Sequence, residues 1–290
     1  YYNRKTKDML IEVPVPYTTG FDKIMQNVGE MTNSGVELTL GLDLVKNKDW
    51  FVGLNATYSY NKNKITKLFY GYQEWPMPSY TLTYKVGEPL QFYCAKYAGV
   101  DPEDGAPMWY VPGTNETTKE YGDYLEQATG YTRYAPHYGG FNVNARWKGL
   151  SVSADFSWVY GKYMLNNDRY FAENPVAFAG MNQSKRILKM WEKPGDKTDI
   201  PAFGHVMQFD THLLEDASFM RLKNLTVSYE LPKNWLKRQN VINAVRIYAN
   251  GRNLFTVTDY MGADPELDTN LTFGAYPNSR QYSFGAEITF

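Results

Sequence analysis

The chain has 290 residues, with 30 Lys and Arg against 31 Asp and Glu and a formal net charge of -1. That balance argues against a nucleic-acid partner, which needs a basic stripe. The single Cys94 excludes an internal disulfide framework and a cysteine metal cluster. Mean hydropathy is negative and no run of about 20 apolar residues occurs, so a helical membrane protein is excluded, whereas a barrel, in which every second strand residue can be polar, is not. The 25 Tyr, 15 Phe and 7 Trp suit either a membrane interface or a sugar-stacking surface, and their abundance does not separate the two.

The first eight residues, Tyr1 to Asp8, read as the wet outer end of a strand. No initiator Met or signal peptide stands at Tyr1, so the sequence predicts a processed chain or a fragment whose earlier strands lie upstream. Val36, Leu38, Leu40, Leu42 and Leu44 then alternate with Glu37, Thr39, Gly41 and Asp43. The same period of two recurs at Val52–Tyr60, Phe141–Trp147, Leu150–Trp158 and Leu225–Leu231. Weaker strand candidates are 1–9, 89–100, 106–112 and 243–254. The clearest is the last, where Tyr282, Phe284, Ala286, Ile288 and Phe290 share one face from Arg280 to the end of the sequence. Each such strand has one dry and one wet face.

The connections alternate in length. Segments 10–33, 63–88, 113–137, 161–218 and 255–278 are long; 45–49, 101–105 and the Lys148–Gly149 join are short, and 232–242 is intermediate. Outer-membrane barrels place short turns in the periplasm and long loops outside the cell. A Greek-key sandwich has no reason to sort its loops this way. The expectation is an all-β, transmembrane, antiparallel up-and-down β-barrel. It has about ten strands, with Phe290 at the periplasmic rim and 101–105 as a periplasmic turn. Two unpaired edges in lipid are prohibitively costly, so these strands are expected to form the carboxy-terminal part of a larger barrel over 1–290.

Several segments resemble the SusC/RagA family of TonB-dependent outer-membrane transporters of Bacteroidetes. They include Asn33-Ser-Gly-Val-Glu-Leu38, Asn47-Lys-Asp-Trp50 and Tyr58-Ser-Tyr-Asn-Lys-Asn63. Lys96-Tyr-Ala-Gly-Val-Asp-Pro-Glu-Asp-Gly105, Pro107-Met-Trp-Tyr110, Gly139-Gly-Phe-Asn142 and Asp155–Gly161 follow. Ala217–Pro232, Tyr248–Thr256, Asp264-Pro-Glu266 and the terminal strand complete the series in order. The resemblance implies a 22-stranded barrel with an amino-terminal plug, energised by TonB and paired with a SusD-like surface lipoprotein. It implies import of a glycan or oligopeptide cargo. The plug and the earlier strands are absent from this sequence. The residues themselves leave two alternatives open, a passive porin and a secreted carbohydrate-binding β-protein.

No Gly-x-Ser-x-Gly elbow, His-Glu-x-x-His helix or P-loop lysine appears, so no catalytic, cofactor-binding or metal-ligating residue is assigned and the chain is read as no enzyme. His137, His205 and His212 are the only histidines, and the two in 161–218 are expected to be solvated loop residues. The carboxylates of Glu215, Asp216, Asp264 and Glu266 are read as ordinary loop groups. Asp264 to Asp268 offers oxygens that a calcium ion would accept, but an Asp–Pro turn explains the segment as well. Tyr70, Tyr72, Trp75, Tyr80 and Trp191 are the candidates for ligand contact at the barrel mouth. Arg146, Lys148, Asn142, Asn144 and Glu287 are expected to line a polar lumen. Trp147, Trp158, Tyr160, Tyr60 and Phe290 are expected at the membrane interfaces, where an amphipathic ring meets outer-membrane lipid at headgroup depth. Phe290 also resembles the terminal signal used in barrel insertion.

Overall fold

The period-two segments become long strands because each has one face for an apolar solvent and one for a wet interior. The computed structural model describes residues 1–77, 81–236, 241–267, 269 and 271–290. Eight strands form one antiparallel sheet in chain order: β1 (Tyr2–Pro14), β2 (Lys23–Lys46), β3 (Trp50–Lys67), β4 (His137–Trp147), β5 (Leu150–Tyr160), β6 (Phe219–Glu230), β7 (Ala244–Thr258) and β8 (Gln281–Thr289). Neighbours in the chain are neighbours in the sheet, with β1 and β8 outermost.

Register sorts the side chains. Leu38, Tyr58, Gly139 and Trp158 lie in one cross-strand row, and Leu40, Ala56, Phe141 and Phe156 lie in the next. This face leaves Leu38 59% and Phe284 81% exposed, a pattern that fits lipid and not water. On the other face Asn55, Asn142, Asp155 and Asn224 form a polar row across β3 to β6.

The connections sort by end. Segments 47–49, 148–149 and 231–243 close one end, and 15–22, 68–136, 161–218 and 259–280 rise from the other. Asn47 makes the first turn tight, because its side-chain oxygen accepts hydrogen bonds from the backbone N–H of Asp49 (3.0 Å) and Trp50 (2.8 Å). Phe290 follows β8 at the short-turn end, as expected.

Four expectations need correction. Eight strands form the wall, not about ten. Segments 89–100 and 106–112 do carry strands, but these belong to two small sheets inside the 68–136 excursion. The segment 101–105 is therefore a turn within that excursion and not a periplasmic one. The 10–33 connection shrinks to 15–22, because β1 and β2 continue as a tall hairpin beyond the apolar band.

Buried apolar clusters sit in the excursions and not across the sheet. Ile11, Val13, Ile65, Leu68 and Phe69 pack where the tall hairpin meets the start of 68–136. Leu82 and Phe92 of the 68–136 excursion pack with Leu165, Met207 and Leu213 of the 161–218 excursion, so the two share a core.

One glycine matters to the wall. A Cβ on Gly139 would lie 2.2 Å from the Thr57 carbonyl oxygen and 3.0 Å from the Trp158 ring. Backbone cannot yield as a side chain can. Gly139→Ala is expected to destabilise the barrel by roughly 1–3 kcal/mol. The midpoint of urea unfolding in detergent measures this, and an unchanged midpoint would contradict the packing.

Candidate functional site

The wet face of the wall is lined by polar groups, charged and neutral, that satisfy one another. Asn142 Nδ2 donates to Asp155 (2.5 Å) and Ser153 (3.2 Å), and Asn144 donates to Asn142. Asn224 donates to the other Asp155 oxygen at 3.1 Å, and Asn250 donates to Asn224 (2.5 Å) and Thr226 (2.8 Å). Of the lumen candidates, Asn142, Asn144, Arg146 and Glu287 face this way by register, and Glu287 pairs with Arg246 at 3.7 Å. Lys148 does not. It occupies the turn with φ 51°, and its ammonium lies over the Trp147 ring on the opposite face.

Above the wall, a buried ionic network braces the 161–218 excursion internally, and His212 and Asp210 of that excursion reach Tyr97 and Trp109 of the 68–136 excursion. The short helix Asn167–Ala172 places Arg169 so that its guanidinium donates to Glu173 (3.0 Å), to Glu215 (3.1 Å) and to the His212 carbonyl (2.8 Å). Arg186 donates to Glu173 at 2.8 Å and to Asp199 at 2.7 Å. His212 is therefore not a solvated loop histidine, because its ring stacks on Tyr97 at 4.7 Å and its Nε2 lies 2.9 Å from Arg169. The contact with His212, followed by the Arg186 charge, holds the Asp199 carboxyl well below the usual range against partial burial. Asp210, buried on the same side, accepts from Trp109 Nε1 at 2.6 Å and from His212 N at 2.8 Å. Burial outweighs these bonds and raises its pKa.

A second latch fixes the 259–280 loop to the wall. Buried Arg221 of β6 donates to Asp264 (2.5 Å), Glu266 (2.6 Å) and Thr256 (2.8 Å), and Lys223 also bonds Glu266. Asn278 adds bonds to both carboxylates. Asp264, Glu266 and Glu215 are thus ion-paired, not ordinary loop groups. The calcium alternative loses its ligands to Arg221 and Lys223, and Asp268 lies outside the described residues. Nothing in the sequence marks Arg169 or Arg221 beyond the i,i+4 spacing of Arg169 and Glu173.

The structure brings Tyr70, Tyr72 and Trp75 together around buried Phe69, with ring centroids 5.5, 5.3 and 4.8 Å from it. Tyr70 and Tyr72 are exposed, and Trp75 is half-buried. Tyr80 lies outside the described residues. Trp191 sits elsewhere, donating to the Pro102 carbonyl at 3.2 Å and packing against Gly105. It pins the 161–218 excursion onto the 101–105 turn. On the apolar face, Trp147 stacks with Trp50 at 5.6 Å at the short-turn end. Trp158 stacks with Tyr58 at 6.0 Å toward the other end, and exposed Tyr160 tilts against His137 at 6.2 Å, where His137 bonds Tyr58 at 2.9 Å. His205 is exposed, as expected.

Known proteins share this arrangement. The chain is 28% identical over its whole length to TonB-dependent receptor P3 of Formosa agariphila, covering 32% of that protein. It is 25% identical to TonB-dependent receptor SusC of Bacteroides thetaiotaomicron, again over its whole length and 29% of that protein. Among solved structures, a chain of "Structure of the RagAB peptide transporter" is 46% identical with a TM-score of 0.91, matched over 99% of this chain and 32% of its own. The chain thus spans about a third of the length of the relatives it matches. A family model described as "TonB dependent receptor-like, beta-barrel" matches residues 1–254, and the chain belongs to that family of outer-membrane β-barrels.

Proposed function

We propose that this chain is the carboxy-terminal wall and mouth of a larger barrel, 22-stranded by resemblance, that imports oligopeptides across the outer membrane. The 46% identity over nearly the whole chain to the RagAB peptide transporter carries this reading, against 25% to SusC. The wall fits such a path: among the charges of Asp155, Arg146 and Glu287, carboxamides and hydroxyls offer weak, neutral hydrogen bonds to a passing peptide backbone. Energy would come through TonB, and a SusD-like lipoprotein would cover the mouth. Exposed Tyr70 and Tyr72 are the rings best placed to touch cargo or that lipoprotein, whereas the packing of Trp75 and Trp191 favours a structural role. No covalent chemistry is part of this reading.

The aromatic rows mark the membrane. Trp50 and Trp147 form the lower row, and Tyr58, Tyr60, Trp158 and Tyr160 the upper, with Phe290 at the lower rim. At about 3.4 Å per residue and a tilt near 40°, the rows stand roughly 25 Å apart, the height of an outer-membrane apolar band.

Deletion of the full-length gene in its host tests the import reading. Uptake of labelled oligopeptides is expected to fall to background, as it is on TonB depletion, while oligosaccharide uptake is unchanged. Undiminished peptide uptake overturns the proposal. Selective loss of oligosaccharide uptake makes the cargo a glycan.

A further inference from the structure

The outward face of β2 and β3 changes character where these strands continue above the level of Tyr60. Above Val36 and Tyr60, paired across β2 and β3, the next cross-strand pairs on that face are Ser34 with Lys62 and Thr32 with Lys64. Beyond a bulge, Glu30 pairs with Lys67. On β1, Lys5 pairs with Thr32, and Lys7 follows on the same side of the strand. All five lysines are exposed. They stand against two carboxylates, Glu30 and Asp8, the latter in the β1 bulge. Among the described residues, only Lys5 of the five forms an ion pair, to Glu30 at 2.7 Å. By register, Tyr160 of β5 is level with Tyr60, and Met220 of β6 and Val257 of β7 are level with Tyr58, near where those strands end, so the charge lies on the sector of the wall that continues above them.

Height decides what these ammonium groups meet. Lys62 stands roughly 5 Å and Lys64 roughly 10 Å above the upper aromatic row, from strand rise and tilt. Headgroups occupy about 5–8 Å beyond the hydrocarbon on each side of a bilayer. Lys62 therefore projects sideways at headgroup depth, directly above an apolar band that can hold acyl chains, and the other lysines stand at and beyond the outer edge of the headgroups.

We propose that the outward face of β1 to β3 above Tyr60 binds the phosphate groups of an outer-leaflet glycolipid. Ammonium groups on flexible stems suit a fluid phosphorylated headgroup better than a fixed fork would. Free phosphate would engage the lysines but not the apolar band beneath them. The proposal rests on the lipid-facing assignment of this face and not on the cargo.

Native mass spectrometry of the full-length protein in detergent tests it, with three probes: phosphorylated lipid A, enzymatically dephosphorylated lipid A, and inorganic phosphate. Phosphorylated lipid A is expected to bind selectively, and the Lys62→Gln/Lys64→Gln/Lys67→Gln variant to bind it on the order of a hundredfold more weakly, at roughly fivefold per lysine. The corresponding triple Lys→Arg variant should retain it. Equal binding by wild type and the Gln variant overturns the proposal, as does equal binding of dephosphorylated lipid A. Competition by inorganic phosphate at the same concentration makes the surface a plain anion site and overturns the glycolipid assignment. Heat-modifiable migration reports folding. If the Gln variant does not fold, wild type in about 1 M salt serves instead, and phosphorylated lipid retained there overturns the proposal.

Discussion

Arg169→Ala in the full-length protein is expected to loosen the 161–218 excursion from within while leaving the barrel wall folded. The Arg169 side chain is 8% exposed, and the carboxylates it serves are as buried: Glu173 at 1% and Glu215 at 8%. Truncation leaves Glu173 with Arg186 and leaves Glu215 with no cation. Breaking a buried pair by removing one partner costs about 3–5 kcal/mol, because the remaining charge is stranded in low dielectric. The cost falls on local opening, since the wall strands do not depend on these groups. Amide exchange and protease cleavage within 161–218 should accelerate by roughly two to three orders of magnitude, at tenfold per 1.4 kcal/mol. Arg169→Lys should recover only part, because an ammonium cannot serve both carboxylates and the His212 carbonyl from one planar fork. Arg169→Met with Glu215→Gln should open less than Arg169→Ala, since the stranded charge is gone. Wild-type exchange rates in Arg169→Ala would show that the network does not hold the excursion.

The wall was legible because two solvents write on it. Lipid on one side and a wet interior on the other impose a period of two over Val36–Leu44, Val52–Tyr60, Phe141–Trp147, Leu150–Trp158 and the final strand, and these segments lie in the observed strands. The same period misleads at 89–100 and 106–112. Gln91–Ala95 and Pro107–Tyr110 also have two faces, one turned to a small core in the excursion. Alternation reports a two-faced strand, and only partners far away in sequence decide which sheet it joins. The upper half of the tall hairpin was missed for the opposite reason. Above the apolar band no lipid dictates an apolar face, so Lys23–Asn33 looks like a loop while pairing as strand.

The site was legible by ring and not by charge. Tyr70, Tyr72 and Trp75 stand out in a string, and the fold does gather them, although around Phe69, which the sequence does not single out. Arg169 and Arg221 are two among 30 cations until folding buries them. Glu215 and Asp264, which they bind, lie 46 and 43 residues away, beyond any local pattern. His212 reads as a loop residue for the same reason.

Arg221→Met should show the second large effect, and pH can report it with a change of sign. Asp264 is 3% exposed, and its Oδ1 accepts from Arg221 at 2.5 Å. Burial alone would raise its pKa, but the Arg221 hydrogen bond, with backbone donors from Glu266 and Asn278, outweighs burial and lowers it. A carboxylate whose folded pKa is depressed contributes stability that is complete above its unfolded value, about 3.9, and lost as pH falls through the lower folded value. Wild-type 259–280 should therefore stay docked at pH 5 and loosen only in stronger acid. Without Arg221, the carboxyl is buried against no cation, and its pKa should rise above the unfolded value. The folded state then binds the proton more tightly, so docking should be weak at pH 7 and strengthen as pH falls toward 4. At neutral pH the loss should be about 3–5 kcal/mol of local stability. Arg221→Met with Asp264→Asn should remove most of both the penalty and the pH dependence. Amide exchange across 259–280 from pH 4 to 8, corrected for intrinsic rates, reads both. If Arg221→Met loosens the loop equally at every pH, Asp264 is not the group that Arg221 holds, and the latch works through Glu266 alone.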